Sequence, residues 1–299
     1  EAAVSTAGSQ DRQPGAGRAI REVSELLGVP APTLRSWELR YGVPSTGRSA
    51  GGHRRYSDEA VHELRLMRDE VARGLKASEA ARAVRALLDP EDPRVARVHA
   101  LLEASAALDP ARIRDLLDRA LEELGLPETI DRVLMPAMRQ VGSFWETGRC
   151  DVAQEHLTTE TARGWLSRVS SLAPPPASGR PILLACGPRD LHTLGLEALA
   201  TLLVHQRRGC RVLGARTPAR TLATAVGATD AAAVVVVSHL STQRRPAVEA
   251  LHAAAGTGVP VFYAGNAFVL PGARTGVPGT YLGERLAAAA DLLLDQVPG

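Results

Sequence analysis

Apolar positions in the first ninety residues recur every three or four residues, which is the spacing of amphipathic helices. One helix is predicted to stop at Gly28, and a second begins at Pro32 and stops at Gly42, which makes a helix-turn-helix. A Gly-Gly pair in the polar stretch 44–57 predicts a β-hairpin, or wing. Two more helical segments follow, and they end near residue 88.

The chain beyond the Pro-rich breaker at 89–93 returns to helical periodicity over about eighty residues. The apolar stripes run through Val95–Leu102, Ile113–Leu124, Ile130–Val141 and Val152–Val169. Four such segments with short connections predict a four-helix bundle. The Pro-rich stretch 173–181 has the composition of an interdomain linker.

The last third of the chain changes from helical periodicity to short continuous apolar runs. These runs cover 182–186, 210–215, 231–238, 259–265 and 280–282. Because helical segments alternate with them, they predict a parallel sheet covered on both faces, a doubly wound α/β domain.

The predicted fold class is therefore multidomain: an all-α winged helix-turn-helix, then a four-helix bundle, then a Rossmann-like α/β domain. The expected boundaries are a disordered leader over 1–17, a DNA-binding domain over 18–90, the bundle over 91–173 and the α/β domain over 180–299.

Composition excludes several protein classes. Of the 299 residues 45% are hydrophobic and 23% are charged, which are ordinary globular values. No apolar run approaches the ~20 residues that span a bilayer, and the first residues lack the order of a signal peptide. We expect a soluble cytoplasmic protein with no membrane partner. The three cysteines lack CxxC spacing, so they predict buried or incidental thiols rather than a zinc site.

Charge is uneven along the chain. Between Arg18 and Tyr56 there are seven Arg and three Glu, a local net charge of +4, which favours an anionic partner. A recognition helix places side chains in the major groove, and basic residues of a wing can follow the phosphates. Any single Arg could equally decorate a solvated helix, but the whole arrangement favours DNA. The candidate DNA contacts are Thr33, Arg35, Arg40, Tyr41, Arg48, His53, Arg54, Arg55 and Tyr56.

The stretches TLRSWELRYGVP and GGHRRYSDEAV carry a resemblance to the winged helix-turn-helix of MerR-type transcription regulators, over about 70 residues. The resemblance implies a regulator that binds near-palindromic promoter DNA as a dimer. It also implies that the rest of the chain senses a signal.

The first loop of the α/β domain is the place to look for a ligand, because open α/β sheets bind ligands beyond the carboxyl ends of their strands. That loop carries Asp190 and His192, whose side chains can form a carboxylate–imidazole pair for a transition metal. Gly195 would let a bulky ligand approach the backbone. Taken alone, the histidine could simply be solvated.

Three motifs together resemble the cobalamin-binding domains of methionine synthases and corrinoid proteins. They are Asp190-x-His192-x-x-Gly195 after the first strand, Ser238-x-Leu240 after the third and Gly265 after the fourth. The resemblance implies that His192 is the lower cobalt ligand, with Asp190 behind it, and that the nucleotide tail of the cofactor runs past the other motif residues. Here the usual Gly-Gly pair is Ala264-Gly265, which places an extra methyl group beside that tail.

The bundle carries candidate residues for the upper face of the cofactor. Trp145 offers apolar cover, and the Glu155-His156 pair offers polar groups for ribose hydroxyls. From periodicity, Trp145 could instead belong to the bundle core, and His156 could be a hydrogen-bonded core histidine.

Trp145 and the Glu155-His156 pair lie between a MerR-like N-terminal domain and a cobalamin-binding-like C-terminal domain. This combination resembles the CarH and LitR group of light-responsive repressors. The resemblance implies adenosylcobalamin as cofactor, a homo-oligomer (dimer or tetramer) on promoter DNA in the dark, release in light, and no enzymatic activity. Carotenoid genes are frequent targets of the group. Some members have a His directly after the Trp, whereas this chain has Glu146.

Two alternatives remain open at this point. In one, the α/β domain of a DNA-binding regulator is light-insensitive or cofactor-free. In the other, the chain is a corrinoid methyl carrier, which would have no use for a basic winged module.

Overall fold

A computed structural model describes residues 17–45, 55–89, 91–146, 150–177 and 179–297. The chain divides into two compact units after Leu88, and each is described by itself. The predicted leader lies outside the described residues except for Gly17. Among the described helices, none combines the length and apolarity that a bilayer crossing requires.

The first unit is a small helical domain with one two-stranded sheet. Its elements are β1 (Arg18–Ala19), α1 (Ile20–Leu27), α2 (Ala31–Tyr41), β2 (Arg55–Tyr56), α3 (Asp58–Ala72) and α4 (Ala77–Leu87). Helices α1 and α2 confirm the predicted helix-turn-helix. Helix α1 ends at Gly28, whose φ of 65° is left-handed, a conformation that glycine adopts without steric cost.

The sheet of the first unit differs from the prediction. Strand β2 pairs antiparallel with β1, so Tyr56 lies opposite Arg18, whereas the sequence predicted a β-hairpin in the stretch 44–57 and no strand at 18–19. The turn of that hairpin, 46–54, lies outside the described residues. Two-residue strands carry too little periodicity to be seen in a sequence.

The bundle of the second unit has the four predicted helical segments. They are α5 (Pro93–Ala106), α6 (Pro110–Leu124), a third formed by α7 (Leu126–Thr129), a π-helical turn (Ile130–Leu134) and α8 (Met135–Glu146), and finally α9 (Val152–Ser171). Three of these helical segments have an aspartate at the N-cap, because its carboxylate accepts a hydrogen bond from an otherwise unpaired N–H of the first turn. Thus Asp151 accepts from the Gln154 N–H at 2.7 Å.

The α/β part has five parallel strands in the order β4-β3-β5-β6-β7. The strands are β3 (Ile182–Cys186), β4 (Cys210–Gly214), β5 (Ala233–Val237), β6 (Val261–Ala264) and β7 (Thr280–Tyr281), and the helices are α10 (Leu194–His205), α11 (Ala219–Thr229), α12 (Arg244–Ala255) and α13 (Leu286–Gln296). The predicted fold class is confirmed. The chain leaves β3 for β4 on one side and returns to β5 on the other, which creates a topological switch point between β3 and β5.

One face of the sheet shares a continuous hydrophobic core with the bundle. Leu184 and Val235 on that face belong to the same buried cluster as Leu117 and Trp165 of the bundle. The other face packs against α11 and α12. The bundle and the α/β part, which the sequence predicted as separate domains, therefore form one unit.

Candidate functional site

The loop after β3 places Asp190 at the carboxyl edge of the sheet, beside the switch point. The Asp190 N–H donates to the Gly187 carbonyl at 3.0 Å, which closes a turn, and the Asp190 carbonyl accepts from the Arg216 N–H at 2.9 Å. Arg216 lies in the loop after β4. The Asp190 side chain is completely buried, so two loops fix a buried carboxylate at this edge.

Two histidines share that carboxylate. His192 Nδ1 lies 2.8 Å from Asp190 Oδ1, and His239 Nδ1 lies 3.1 Å from Asp190 Oδ2. The backbone N–H of each histidine donates to the same oxygen as its ring, at 2.9 Å for His192 and 2.5 Å for His239. The site therefore has the arrangement imidazole–carboxylate–imidazole, and one ligand atom from each residue lies within 4.8 Å of the others.

These contacts determine the protonation state of Asp190 and the tautomers of the two histidine rings. Burial alone would raise the pKa of the Asp190 carboxyl, but the hydrogen bonds from His192 and His239 outweigh burial and hold the pKa well below its usual value. An ionised carboxylate only accepts, so both rings donate through Nδ1. In a neutral His192 this tautomer puts the lone pair on Nε2, and the His192 side chain is 57% exposed. Its exposed ring can ligate a metal through Nε2.

His239 is the residue that sequence reasoning missed. It follows β5, 49 residues after Asp190, and occupies the unspecified middle position of Ser238-x-Leu240. Because β3 and β5 are neighbours in the sheet, the loops that follow them meet at one edge. The signal that could have found His239 was its place at the end of the strand beside β3.

The nearby thiol of Cys186 is a poor metal ligand. Its Sγ lies 3.6 Å from the His192 carbonyl oxygen. Burial, reinforced by the charge of Asp190, raises the pKa of Cys186 to about 12. Since the thiolate is the form that binds metals, the site offers imidazole and carboxylate rather than sulfur.

Ser238 and Gly265 lie together where β5 and β6 end. The Ser238 Oγ is buried and has no hydrogen-bond partner among the described residues. Gly265 has φ +101°, and a Cβ built on it would lie 2.2 Å from the Ser238 carbonyl oxygen. Leu240, just beyond, is 47% exposed. The two backbones meet so closely that only glycine fits, and a buried hydroxyl remains available to a polar group.

The bundle packs against the loop that carries His192. Arg163 on α9 contacts Glu197 on α10 at 3.1 Å and donates to the Thr193 hydroxyl at 3.1 Å. A Cβ on Gly195 would meet Met135 Cε of α8 at 3.7 Å, an ordinary contact distance. Gly195 therefore lies at the junction of the bundle and the sheet.

The predicted capping residues lie near the end of α8 and the start of α9. Trp145 is 52% exposed, which excludes a place in the bundle core. The His156 side chain is 72% exposed, so it is not a core histidine either. Glu155 accepts from the Thr159 hydroxyl at 3.0 Å. It lies eight residues before Arg163 on α9, about 12 Å along the helix axis.

In the first unit, some of the predicted DNA-contacting side chains of helix α2 are exposed to solvent. Arg35 and Arg40 are exposed, Thr33 is half-buried, and Leu34 and Trp37 anchor the helix in the core. Leu39, which sequence reasoning did not select, is 83% exposed. It follows Arg35 by four residues and so lies on the same side of the helix.

The rest of the predicted DNA contacts divide into four kinds. Arg55 is exposed, and its guanidinium donates to the Gly17 carbonyl at 3.0 Å. Tyr41 is half-buried against the core. Tyr56 is buried with 5% exposure, and its hydroxyl lies 3.3 Å from Glu38, so its position supports packing rather than the predicted contact with DNA. Arg48, His53 and Arg54 lie outside the described residues.

Comparison with known proteins bears on both units. Residues 18–104 match the MerR HTH family of regulatory proteins, and residues 97–169 match the B12 binding domain. The chain is 36% identical to the HTH-type transcriptional repressor CarH of Myxococcus xanthus over 222 residues, 69% of this chain and 74% of the relative. It is 37% identical to the repressor CarA of the same organism over 212 residues, 68% of this chain and 70% of the relative.

The fold of the second unit also occurs in solved structures. The monomethylamine corrinoid protein of Methanosarcina barkeri aligns with a TM-score of 0.52 at 15% identity, over 65% of this chain and 95% of that chain. At this level of identity the likeness concerns the fold alone.

Proposed function

The chain belongs to the family of MerR-type, B12-binding transcriptional repressors that includes CarH and CarA, and from that membership we propose that it senses light through adenosylcobalamin. In the dark the loaded protein is an oligomer on promoter DNA, and light releases it. The observation that carries the proposal is the buried Asp190 carboxylate that orients the exposed imidazole of His192. The DNA-binding domain is 18–90, the cap 91–173 and the cofactor domain 180–299.

The residues at the carboxyl edge of the sheet suit a corrinoid in two respects. The buried Ser238 hydroxyl lacks a partner among the described side chains, and a buried hydroxyl without one is costly. The exposed His192 ring is held in the tautomer that ligates through Nε2. The residues that would hold the cofactor are Asp190, His192, Gly195, Ser238, Leu240 and Gly265 from the sheet edge, and Trp145, Glu155 and His156 from the bundle.

The work of the protein is to hold, orient and cover the cofactor. Bound adenosylcobalamin supplies a cobalt–carbon bond that light breaks. His192 would ligate its cobalt through Nε2, and Asp190 would fix the His192 ring and raise its basicity. The exposed Trp145 would provide apolar cover for the cofactor, and the Glu155 carboxylate would accept hydrogen bonds from its hydroxyl groups.

Coupling to DNA follows from linkage. A ligand that binds one assembly state more tightly shifts the population toward that state. An oligomer engages several half-sites of an operator together, so assembly multiplies occupancy without any new contact. A change in the cofactor that weakens its binding to the assembled state would therefore favour disassembly and free the promoter.

The test combines spectroscopy and chromatography on the full chain. We expect adenosylcobalamin in the dark to give a histidine-ligated visible spectrum and a larger size-exclusion species, and green light to reverse the assembly. His192→Ala should lose the ligated spectrum and keep its circular dichroism, while His252→Ala, an exposed histidine on α12, serves as the matched control. Elution profiles that respond to neither cofactor nor light would refute the light-switch proposal.

DNA binding is tested separately by gel shift with the protein's own promoter region. Arg35→Ala should weaken binding about 5- to 150-fold, because a bidentate base contact contributes ~1–3 kcal/mol, and cobalamin affinity should stay unchanged. Failure of the loaded wild type to shift promoter DNA, together with methyl transfer to an acceptor, would instead favour a methyl carrier.

A further inference from the structure

We propose that His239 is a second positioning residue for the cobalt ligand, and that it acts on His192 through the carboxylate they share. The inference rests on the proposed function, since it assigns a role to a residue at the same site. It comes from the structure, because the two histidines are far apart in sequence and nothing in the motif pattern pairs them.

The contacts around Asp190 are symmetrical. Each carboxylate oxygen accepts one ring N–H and one backbone N–H, with Oδ1 serving His192 and Oδ2 serving His239. A buried carboxylate needs hydrogen bonds to both oxygens to stay ionised at low cost. The His239 ring adds a second hydrogen bond to Oδ2 beside that of its backbone N–H, and so helps to fix the rotation of the carboxylate plane that the His192 ring must meet.

The two imidazoles differ in exposure, and this difference assigns their roles. The His192 side chain is 57% exposed, whereas that of His239 is 25% exposed. The more accessible ring suits a bulky ligand, and the more enclosed ring suits a support. The ring centroids lie 5.2 Å apart with a tilt of 47°, so the His239 ring also limits how far the His192 ring can swing.

Variants that separate the N–H donor from the ring test this role. His239→Ala removes the donor, His239→Asn replaces it with an amide nitrogen at the position of Nδ1, and His239→Gln places its amide nitrogen one atom farther out. Removal of an outer-shell partner typically lowers metal affinity about 10- to 100-fold. In the dark, His239→Ala and His239→Gln should each bind adenosylcobalamin about 10- to 100-fold more weakly than the wild type. His239→Asn should recover most of the lost affinity.

Spectroscopy distinguishes positioning from simple destabilisation. The fraction of bound cobalamin with the histidine-ligated spectrum should fall in His239→Ala and return in His239→Asn, while circular dichroism stays constant. Combined with Asp190→Ala, the His239→Ala change should add little, because both act through one contact. His252→Ala should match the wild type in every readout.

The possible results separate the two proposals. If the wild type binds no cobalamin through a histidine, the proposed function fails. If His192→Ala loses ligation while His239→Ala retains the affinity and spectrum of the wild type, the role of His239 is refuted and the function stands. If the Asn variant is as impaired as the Ala variant, the Nδ1–H donor is not what matters, and this inference is overturned as well.

Discussion

Replacement of Gly265 by Ala places a methyl group where β5 and β6 end. Its Cβ would lie 2.2 Å from the Ser238 carbonyl oxygen, about 0.8 Å inside the 3.0 Å limit that real Cβ contacts respect. That carbonyl accepts from the Ala267 N–H at 3.1 Å, and the Ser238 N–H donates to Ala264 at 3.0 Å. Backbone strain of about 1–3 kcal/mol and two weakened hydrogen bonds of about 1 kcal/mol each predict a destabilisation of about 3–5 kcal/mol.

Two other glycines separate the causes. Gly258 has φ +85° with nothing within 4 Å of its would-be Cβ, so Gly258→Ala should cost only the conformational strain, about 1–2 kcal/mol. Gly164 is exposed within α9 with equally open surroundings, and Gly164→Ala should stabilise by up to about 1 kcal/mol.

The assay is urea denaturation of the full chain, followed by circular dichroism and fitted with one transition for each unit. The order of stability should be Gly164→Ala, wild type, Gly258→Ala, then Gly265→Ala. Equal midpoints for the Gly258 and Gly265 variants would refute the clash with Ser238.

Three further outcomes follow from the described contacts. The lowered pKa of Asp190 means that its hydrogen bonds stabilise the folded state above the ordinary carboxyl pKa of 3.8 and lose this effect on acidification below it; the unfolding free energy of Asp190→Asn should thus fall less steeply with acid between about pH 5 and about pH 3. Burial raises the pKa of all three cysteine thiols, that of Cys186 to about 12 and that of Cys210 to about 11. Iodoacetamide at about pH 8 should therefore label Cys150, Cys186 and Cys210 only after unfolding. Rapid labelling of the folded chain would contradict this. Leu39→Ala should leave stability within about 0.5 kcal/mol yet lower promoter affinity in gel shifts, as loss of an apolar contact with a thymine methyl would.

The sequence predicted the architecture because its signals are local and repeated. Helical stripes, the Gly28 stop and the continuous apolar runs of the strands each report on neighbouring residues. What it missed depends on contacts between distant segments: the pairing of β1 with β2, and the burial of Tyr56 that accompanies it.

The candidate site shows the same division. The pairing of Asp190 with His192 was predicted because the two lie two residues apart. His239 reaches the same carboxylate only because β5 adds beside β3, which a linear pattern does not encode. The exposure of Trp145 and His156 likewise depends on where the bundle helices end, and periodicity alone left their placement undecided.

The contact of Arg163 with Thr193 ties a long bundle helix to the residue next to His192. Helix α9 thus joins two parts of the candidate site, since Arg163 contacts the loop of His192 and the same helix carries Glu155 and His156 near its first turn. A displacement of this helix would therefore be transmitted directly to the loop that carries His192.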